Sequence, residues 1–301
     1  MKKFVLREAT ENAIIINEEN FEKYTKNEYP YRQFIDGKAK YYATCPECEN
    51  PIQIRGLYKN DGNAYGAHAG KNIDGLNPFI YENYINCPRS VKGTCLPKDK
   101  RKSITTEKDI RIYNTVRNYF DKAIEFAELK FGFRISNTLA RELVEVYYAS
   151  ESWLYPHSTV NNIPFMLLYL HPSVNPYDLW IRKDNWLFSE IKKIKDLTTE
   201  STKSDKYVAL KTTKYLHLTM MVWNHKCQET EDGELKEYVK LQICKDISNT
   251  GFPEWVELLD KKIPIIENEF VRFINSPNSL KYRNETLSGY AKEIMPEISI
   301  H

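Results

Sequence analysis

The strongest chemical signal in the chain is a set of thiols and one imidazole between residues 45 and 95. Cys45-Pro46-Glu47-Cys48 opens it, His68 follows, and Cys87-Pro88 and Cys95 close it. A Cys-x2-Cys pair lets two thiolates from one tight turn reach a single tetrahedral ion, and thiolate with imidazole is the donor set that Zn2+ favours. Cys45, Cys48, His68 and Cys87 therefore read as a Cys3His zinc site. Cys95 is an alternative fourth ligand. Cys87 is preferred because Cys87-Pro88 repeats the Cys45-Pro46 pattern, and a proline after a ligand stiffens the turn. A full set of four leaves no open coordination position, so the ion is structural. Its role is to fold a segment too polar to build its own core. The bland alternative is a set of free cysteines in an irregular segment.

Other residues offer weaker chemistry. Gly66-Ala67-His68-Ala69-Gly70-Lys71 has one residue too few for a phosphate loop, and Asn72 stands where a Mg2+-binding hydroxyl is needed, so nucleotide hydrolysis is rejected. A restriction-type nuclease needs an aspartate followed by Glu-x-Lys. Glu190-Ile191-Lys192 supplies the triplet, with Asp178 or Asp184 as the aspartate, and Glu128-Leu129-Lys130 is a second match inside a helix. An HNH-type nuclease is a poor fit, because His68 is needed as a ligand. His217, His225 and Cys227 lie on a predicted hairpin with no acidic partner close in sequence, and read as packing. The basic runs Lys98, Lys100, Arg101, Lys102 and Lys192, Lys193, Lys195 are each solvated faces on their own. Next to a zinc module, the first run becomes a candidate nucleic-acid contact.

The elements that must position these residues follow from periodicity. Ala13 to Ile16 reads as a buried strand, and Asn17 to Tyr24 as a short helix with an Asn cap. Lys40 to Thr44 is a strand feeding Cys45, and Pro51 to Leu57 is the strand that leaves the knuckle. Asn60-Asp61-Gly62-Asn63 marks a turn. The basic stretch 96–104 reads as a linker. Thr106 then caps a long amphipathic helix, with Ile112, Tyr113, Val116, Tyr119, Phe120, Ala123, Ile124 and Ala127 on one stripe and Gly132 at its end. Further helices are expected from about Asn137, over Pro164 to Leu170, and over Trp186 to Leu197. Thr198 to Asp205 reads as a polar connector. Residues 215–244 read as a β-hairpin, and the tail as helical pieces near Pro253 to Leu259 and Asn268 to Asn275, split by Pro264. No internal repeat is present.

The stretch from about residue 42 to residue 72 carries a resemblance. Cys45-Pro-Glu-Cys48, a following strand with Pro51-Ile52, and Tyr65-x-x-His68 are similar to the N-terminal zinc-ribbon module of bacterial CoiA-like competence proteins. The wider Cys-Pro-x-Cys … Tyr-Gly-x-His-x-Gly-Lys pattern also resembles a family of bacterial zinc-ribbon proteins. The resemblance implies a ligand role for Cys45, Cys48 and His68. In the CoiA-like family the module precedes a restriction-type nuclease domain, which the remaining sequence does not display.

Composition bounds the rest. The 301 residues are 42% hydrophobic and 28% charged, with a formal net charge of +2, which is too near neutral for a tight non-specific polyanion binder. Apolar runs such as Phe165 to Leu170 are far short of the roughly 20 residues that span a bilayer. The N-terminus turns charged before any apolar run, so no export is expected. The six cysteines then belong to a reducing compartment. The expectation is an α+β protein, with a zinc-stabilised module over 1–97 and a mainly helical domain with one hairpin over 104–301. As a function, we expect a cytoplasmic bacterial zinc-binding protein that contacts DNA or RNA, in DNA processing or phage defence. The alternatives are an interaction subunit of a defence or regulatory complex, with purely structural zinc, and a metal-dependent nuclease.

Overall fold

A computed structural model describes residues 1–7, 13–59, 63–90, 96–214, 216–230, 233–248 and 253–298. The turn at 60–62 and Cys95 lie outside the described residues. The chain forms two compact units, Met1–Ser103 with Cys227–Lys236, and Ile104–Lys226 with Glu237–His301. The outer end of the predicted hairpin thus groups with the first unit, which local sequence had not assigned to it. Helices and antiparallel sheets are both present, so the fold is α+β.

In the first unit, β1 (Lys3–Phe4) pairs with β2 (Ile14–Ile15), and α1 (Glu18–Thr25) follows. The Asn17 side chain caps α1 by accepting the Asn20 N–H at 2.7 Å. Four strands then run as an antiparallel meander in sequence order: β3 (Arg32–Ile35), β4 (Lys38–Thr44), β5 (Pro51–Arg55) and β6 (Tyr65–His68). Asp36 and Gly37 join β3 to β4 with φ of 51° and 71°. Two positive φ values make the tight turn whose twist matches the flanking strands. Phe4, Ile16, Phe21, Ala43, Ile52 and Ile54 form a core that also includes Cys45, Cys48 and Cys87. A short helix, α2 (Tyr81–Ile85), leads to Cys87.

The second unit is led by α3 (Glu107–Phe131). The Asp109 carboxylate accepts the Thr106 N–H at 2.8 Å to start it, and Gly132 at φ 83° ends it. The expected stripe, from Ile112 through Ala127, is buried except for Tyr119, which is half-buried at a kink with φ −127° and ψ 26°. Next come α4 (Asn137–Ala149), two 3-10 turns (Ser152–Leu154 and Val160–Asn162) and α5 (Ile163–Tyr169). The remaining elements are β7 (Trp180–Arg182), α6 (Trp186–Ile191), β8 (Leu197–Ser201), β9 (Tyr207–Thr212), β10 (His217–Glu229), β11 (Leu235–Asp246), β12 (Trp255–Ile265), α7 (Glu269–Ile274), α8 (Pro277–Lys281) and α9 (Glu285–Ile294). Helix α3 packs against α5, α7 and α9.

A mainly helical domain with one hairpin describes only part of this unit. It holds strands in two three-stranded sheets, ordered β7-β9-β8 and β10-β11-β12. The helix expected over Trp186 to Leu197 stops at Ile191, and the polar connector after it becomes β8, paired with β9 from Leu197↔Thr212 to Ser201↔Val208. The tail piece expected to be helical is instead β12, paired along β11 with Pro264 opposite Tyr238. Proline is tolerated there because β12 is an edge strand. Each correction has one cause: pairing with a strand distant in sequence supplies backbone hydrogen bonds that local pattern cannot anticipate.

Candidate metal centre

The centre is assembled by sheet register. β4 ends at Thr44 opposite Pro51 of β5, so residues 45–50 form the loop between them. The Cys45 N–H donates to the Asn50 carbonyl (2.9 Å) and the Glu49 N–H to the Cys45 carbonyl (3.0 Å), with Glu49 at φ 59°. This tight loop carries Cys45 and Cys48. β6 pairs with β5 so that His68 lies opposite Ile52, close to the mouth of the loop. The buried Asn50 side chain brings in the last ligand. It accepts the Ile80 N–H (2.7 Å) and donates to the Ile80 carbonyl (3.0 Å), tying the start of α2 to the loop. Cys87 follows α2, and its carbonyl accepts both the backbone N–H (2.9 Å) and the hydroxyl (2.8 Å) of Ser90.

The donor atoms of Cys45, Cys48, His68 and Cys87 all lie within 4.8 Å of one another. Cys45 Sγ is 3.8 Å from Cys87 Sγ, and Cys48 Sγ is 3.2 Å from His68 Nε2. A disulfide would need about 2.05 Å, and all three cysteines are free. Two sulfurs held tetrahedrally about 2.3 Å from one ion stand about 3.8 Å apart, and a sulfur and an imidazole nitrogen about 3.6 Å apart. The cluster therefore has the dimensions of a four-coordinate site and could hold a metal ion. His68 also packs edge-on against Tyr84, with centroids 5.1 Å apart, which fixes its ring.

The electrostatics point the same way. Burial pushes all three thiols toward the neutral form. At Cys45, hydrogen bonds from Cys48, Cys87 and His68 outweigh burial and hold the thiol well below its usual range. At Cys48 and Cys87 burial prevails and pushes the thiols well above it. Burial and mutual repulsion thus oppose three thiolates side by side without a counter-charge. A divalent cation removes that opposition, because its charge stabilises all three thiolates at once.

The other sequence candidates do not converge. Glu190 on α6 pairs with Lys193 at 3.1 Å and Lys261 at 3.6 Å. Lys192 lies over the Phe188 ring, 4.1 Å from its centroid. Asp184 is held by Arg182 at 2.8 Å, and Asp178 by Lys211. Glu128, in the second Glu-x-Lys match, accepts the Ile135 N–H at 2.7 Å at the end of α3. Among the described residues, the Cys/His set is the one group of three or more His, Cys, Asp or Glu side chains placed to share an ion. The basic linker makes mostly local contacts, and Lys98 is exposed. Arg101 Nη1 donates to the carbonyls of Lys98 (3.0 Å) and Lys100 (2.9 Å). Lys100 lies 4.0 Å from Glu82, and Lys102 is buried.

Two groups were missed by reading the sequence. His225 does have an acidic partner: its Nε2 lies 2.7 Å from Glu237 and its Nδ1 3.3 Å from the Tyr155 hydroxyl. Asn162 Nδ2 donates to the same Glu237 oxygen at 2.7 Å. Arg89 is the other. It is buried two residues after Cys87, and its position after Cys87-Pro88 was the only local signal. Comparison of the chain with protein-family models, curated proteins and solved structures finds no match.

Proposed function

We propose that Cys45, Cys48, His68 and Cys87 bind one structural Zn2+, and that the unit folded around it is a binding module that contacts nucleic acid. The carrying observation is the closed set of four soft and borderline donors within 4.8 Å, three of them buried thiols. Zinc satisfies that set without redox chemistry or a geometric preference of its own. Two further things support nucleic acid as the partner. One is the resemblance of the knuckle region to the CoiA-like module. The other is the pairing of exposed aromatics with cations, Phe34 under Arg32 (5.1 Å) and Tyr24 under Lys23 (5.4 Å). Exposed rings beside cations suit base stacking with phosphate attraction. A reducing, cytoplasmic setting agrees with the free thiols.

The burial of Lys102 and the Lys100 contact with Glu82 favour a second reading, in which the module contacts a protein and zinc is purely architectural. Metal analysis should give about one zinc per chain, and Cys48→Ser should lose it. Fluorescence anisotropy with single- and double-stranded DNA and RNA should show salt-weakened binding that Phe34→Ala and Arg32→Ala reduce. Zinc retained in full by Cys48→Ser would overturn the ligand set. No binding of any nucleic acid at low salt would overturn the partner, and a stoichiometric co-purifying protein would establish the second reading.

A further inference from the structure

Beside the metal centre lies a buried ionic junction that the zinc reading leaves unused. The Arg89 side chain is only 2% exposed. Its Nε and Nη2 each donate to Glu47 Oε1 at 3.3 Å, and its Nη1 donates to Glu229 Oε1 at 2.7 Å and to the Gly233 carbonyl at 3.0 Å. Glu47 stands between the ligands Cys45 and Cys48, and Arg89 stands two residues after the ligand Cys87. Glu229 and Gly233 belong to the hairpin end Cys227–Lys236. One guanidinium thus joins both ligand-bearing turns to a segment about 140 residues away in sequence.

The hairpin end is seated closely. Glu229 Oε1 also accepts the Lys2 N–H at 3.1 Å, and Lys3 Nζ reaches Glu234 at 2.9 Å. Gly233 has φ +86°, and a Cβ there would come within 2.2 Å of Lys2 Cβ. A fixed fork is suited to this task, since a lysine ammonium cannot serve two carboxylates and a carbonyl from fixed directions.

We infer that Arg89 is a positioning residue of the metal centre, and that through it metal binding and seating of the hairpin end Cys227–Lys236 stabilise each other. The inference rests on the zinc reading. Its physical basis is geometric. The ion cross-links the 45–48 turn to Cys87, and that cross-link sets the spacing between Glu47 and Arg89. The same spacing aims Nη1 at Glu229 and Gly233. Loss of the ion frees the two turns to separate, and loss of the hairpin contacts leaves a buried guanidinium half-paired beside the ligands. Coupling of this kind is reciprocal by thermodynamic necessity.

The test uses the full chain loaded with zinc. Zinc transfer to a chromophoric chelator is compared for wild type, Glu229→Gln, Arg89→Lys and the second-unit control Glu200→Gln. Residues that orient metal ligands from behind contribute about 10- to 100-fold in affinity. Glu229→Gln acts through Arg89 and Glu47 rather than on a ligand, so it should weaken zinc binding at the lower end of that range, by about 10-fold. Arg89→Lys, which loses the fork that joins Glu47, Glu229 and Gly233, should weaken zinc binding at least as much as Glu229→Gln, and Glu200→Gln should match wild type. The Co2+-loaded Glu229→Gln protein should keep the thiolate charge-transfer bands of wild type, since the ligands are unchanged. Amide hydrogen exchange over 227–230 should rise when zinc is removed from wild type, and should already be high in zinc-loaded Glu229→Gln. A zinc-bearing wild type that matches Glu229→Gln in zinc affinity, with exchange over 227–230 indifferent to zinc, would overturn the coupling and leave the zinc site standing. A wild type that binds no zinc would overturn both.

Discussion

Replacing Glu128 by glutamine should stabilise the second unit, and should do so only above mildly acidic pH. Glu128 lies one turn before the end of α3, and its carboxylate accepts the Ile135 N–H at 2.7 Å. Burial pushes its carboxyl from 4.5 up to about 7, against the opposing pull of the Ile135 hydrogen bond, Arg134 and Arg182. A raised acid pKa means the folded state binds the proton more tightly than the unfolded chain. The stabilising contribution is complete below the unfolded value and is lost as pH rises through about 7. At about 1.36 kcal/mol per unit the full shift corresponds to about 3 kcal/mol, and screening of a side chain that keeps some solvent contact reduces this to about 1–3 kcal/mol. Glutamine retains the acceptor for Ile135 and carries no charge. The variant's advantage should therefore grow by about 1–3 kcal/mol between about pH 5 and about pH 8. Urea unfolding followed by tryptophan fluorescence reads this unit alone, because all five tryptophans (153, 180, 186, 223 and 255) lie in it. An advantage that stays flat across that range, or shrinks, refutes the reasoning.

Three further outcomes are expected. Arg283→Met should cost up to about 3–5 kcal/mol, because the Asp121 carboxylate, 1% exposed and held by Arg283 at 2.7 and 2.8 Å, would lose its counter-charge and keep the Asn284 N–H at 3.0 Å. Burial alone would raise Asp121, but Arg283 and the Asn284 N–H outweigh it and hold the carboxyl below the usual range, so this contribution is present at neutral pH and fades on acidification. Wild-type and variant unfolding curves that fail to converge at low pH would contradict the pairing. Gly132→Ala should cost about 1–3 kcal/mol from the positive φ alone. Its new Cβ would also meet Asn185 Oδ1 at 2.1 Å, while Asn185 is itself anchored to the Leu129 carbonyl, so an unchanged melting temperature would refute this. Finally, a strong chelator should reduce far-ultraviolet circular dichroism by unfolding the first unit, while tryptophan emission from the second stays in place. A simultaneous red shift of that emission would show that the second unit depends on the ion as well.

The donor set was legible in the sequence because metal ligation is local chemistry. Cys-x2-Cys fixes two donors on one turn whatever the surroundings, and few residue types can supply the rest. The stripe of α3, its capping residue Thr106 and its terminal Gly132 were equally legible, because a helix makes its hydrogen bonds within its own segment. Sequence also narrowed the fourth ligand to Cys87 or Cys95, but it took the β4–β5–β6 register and the Asn50–Ile80 clamp to place Cys87 beside the other three. The strands β8 and β12 stayed hidden for the opposite reason. Their hydrogen bonds run to partners that only the folded chain brings near. The same holds for the Glu237 partner of His225, and for the joining of the two ligand turns to Glu229 and Gly233 through Arg89. Residue type and spacing determined which atoms could bind a metal ion. Long-range backbone pairing and the burial of one arginine decided what holds those atoms in place.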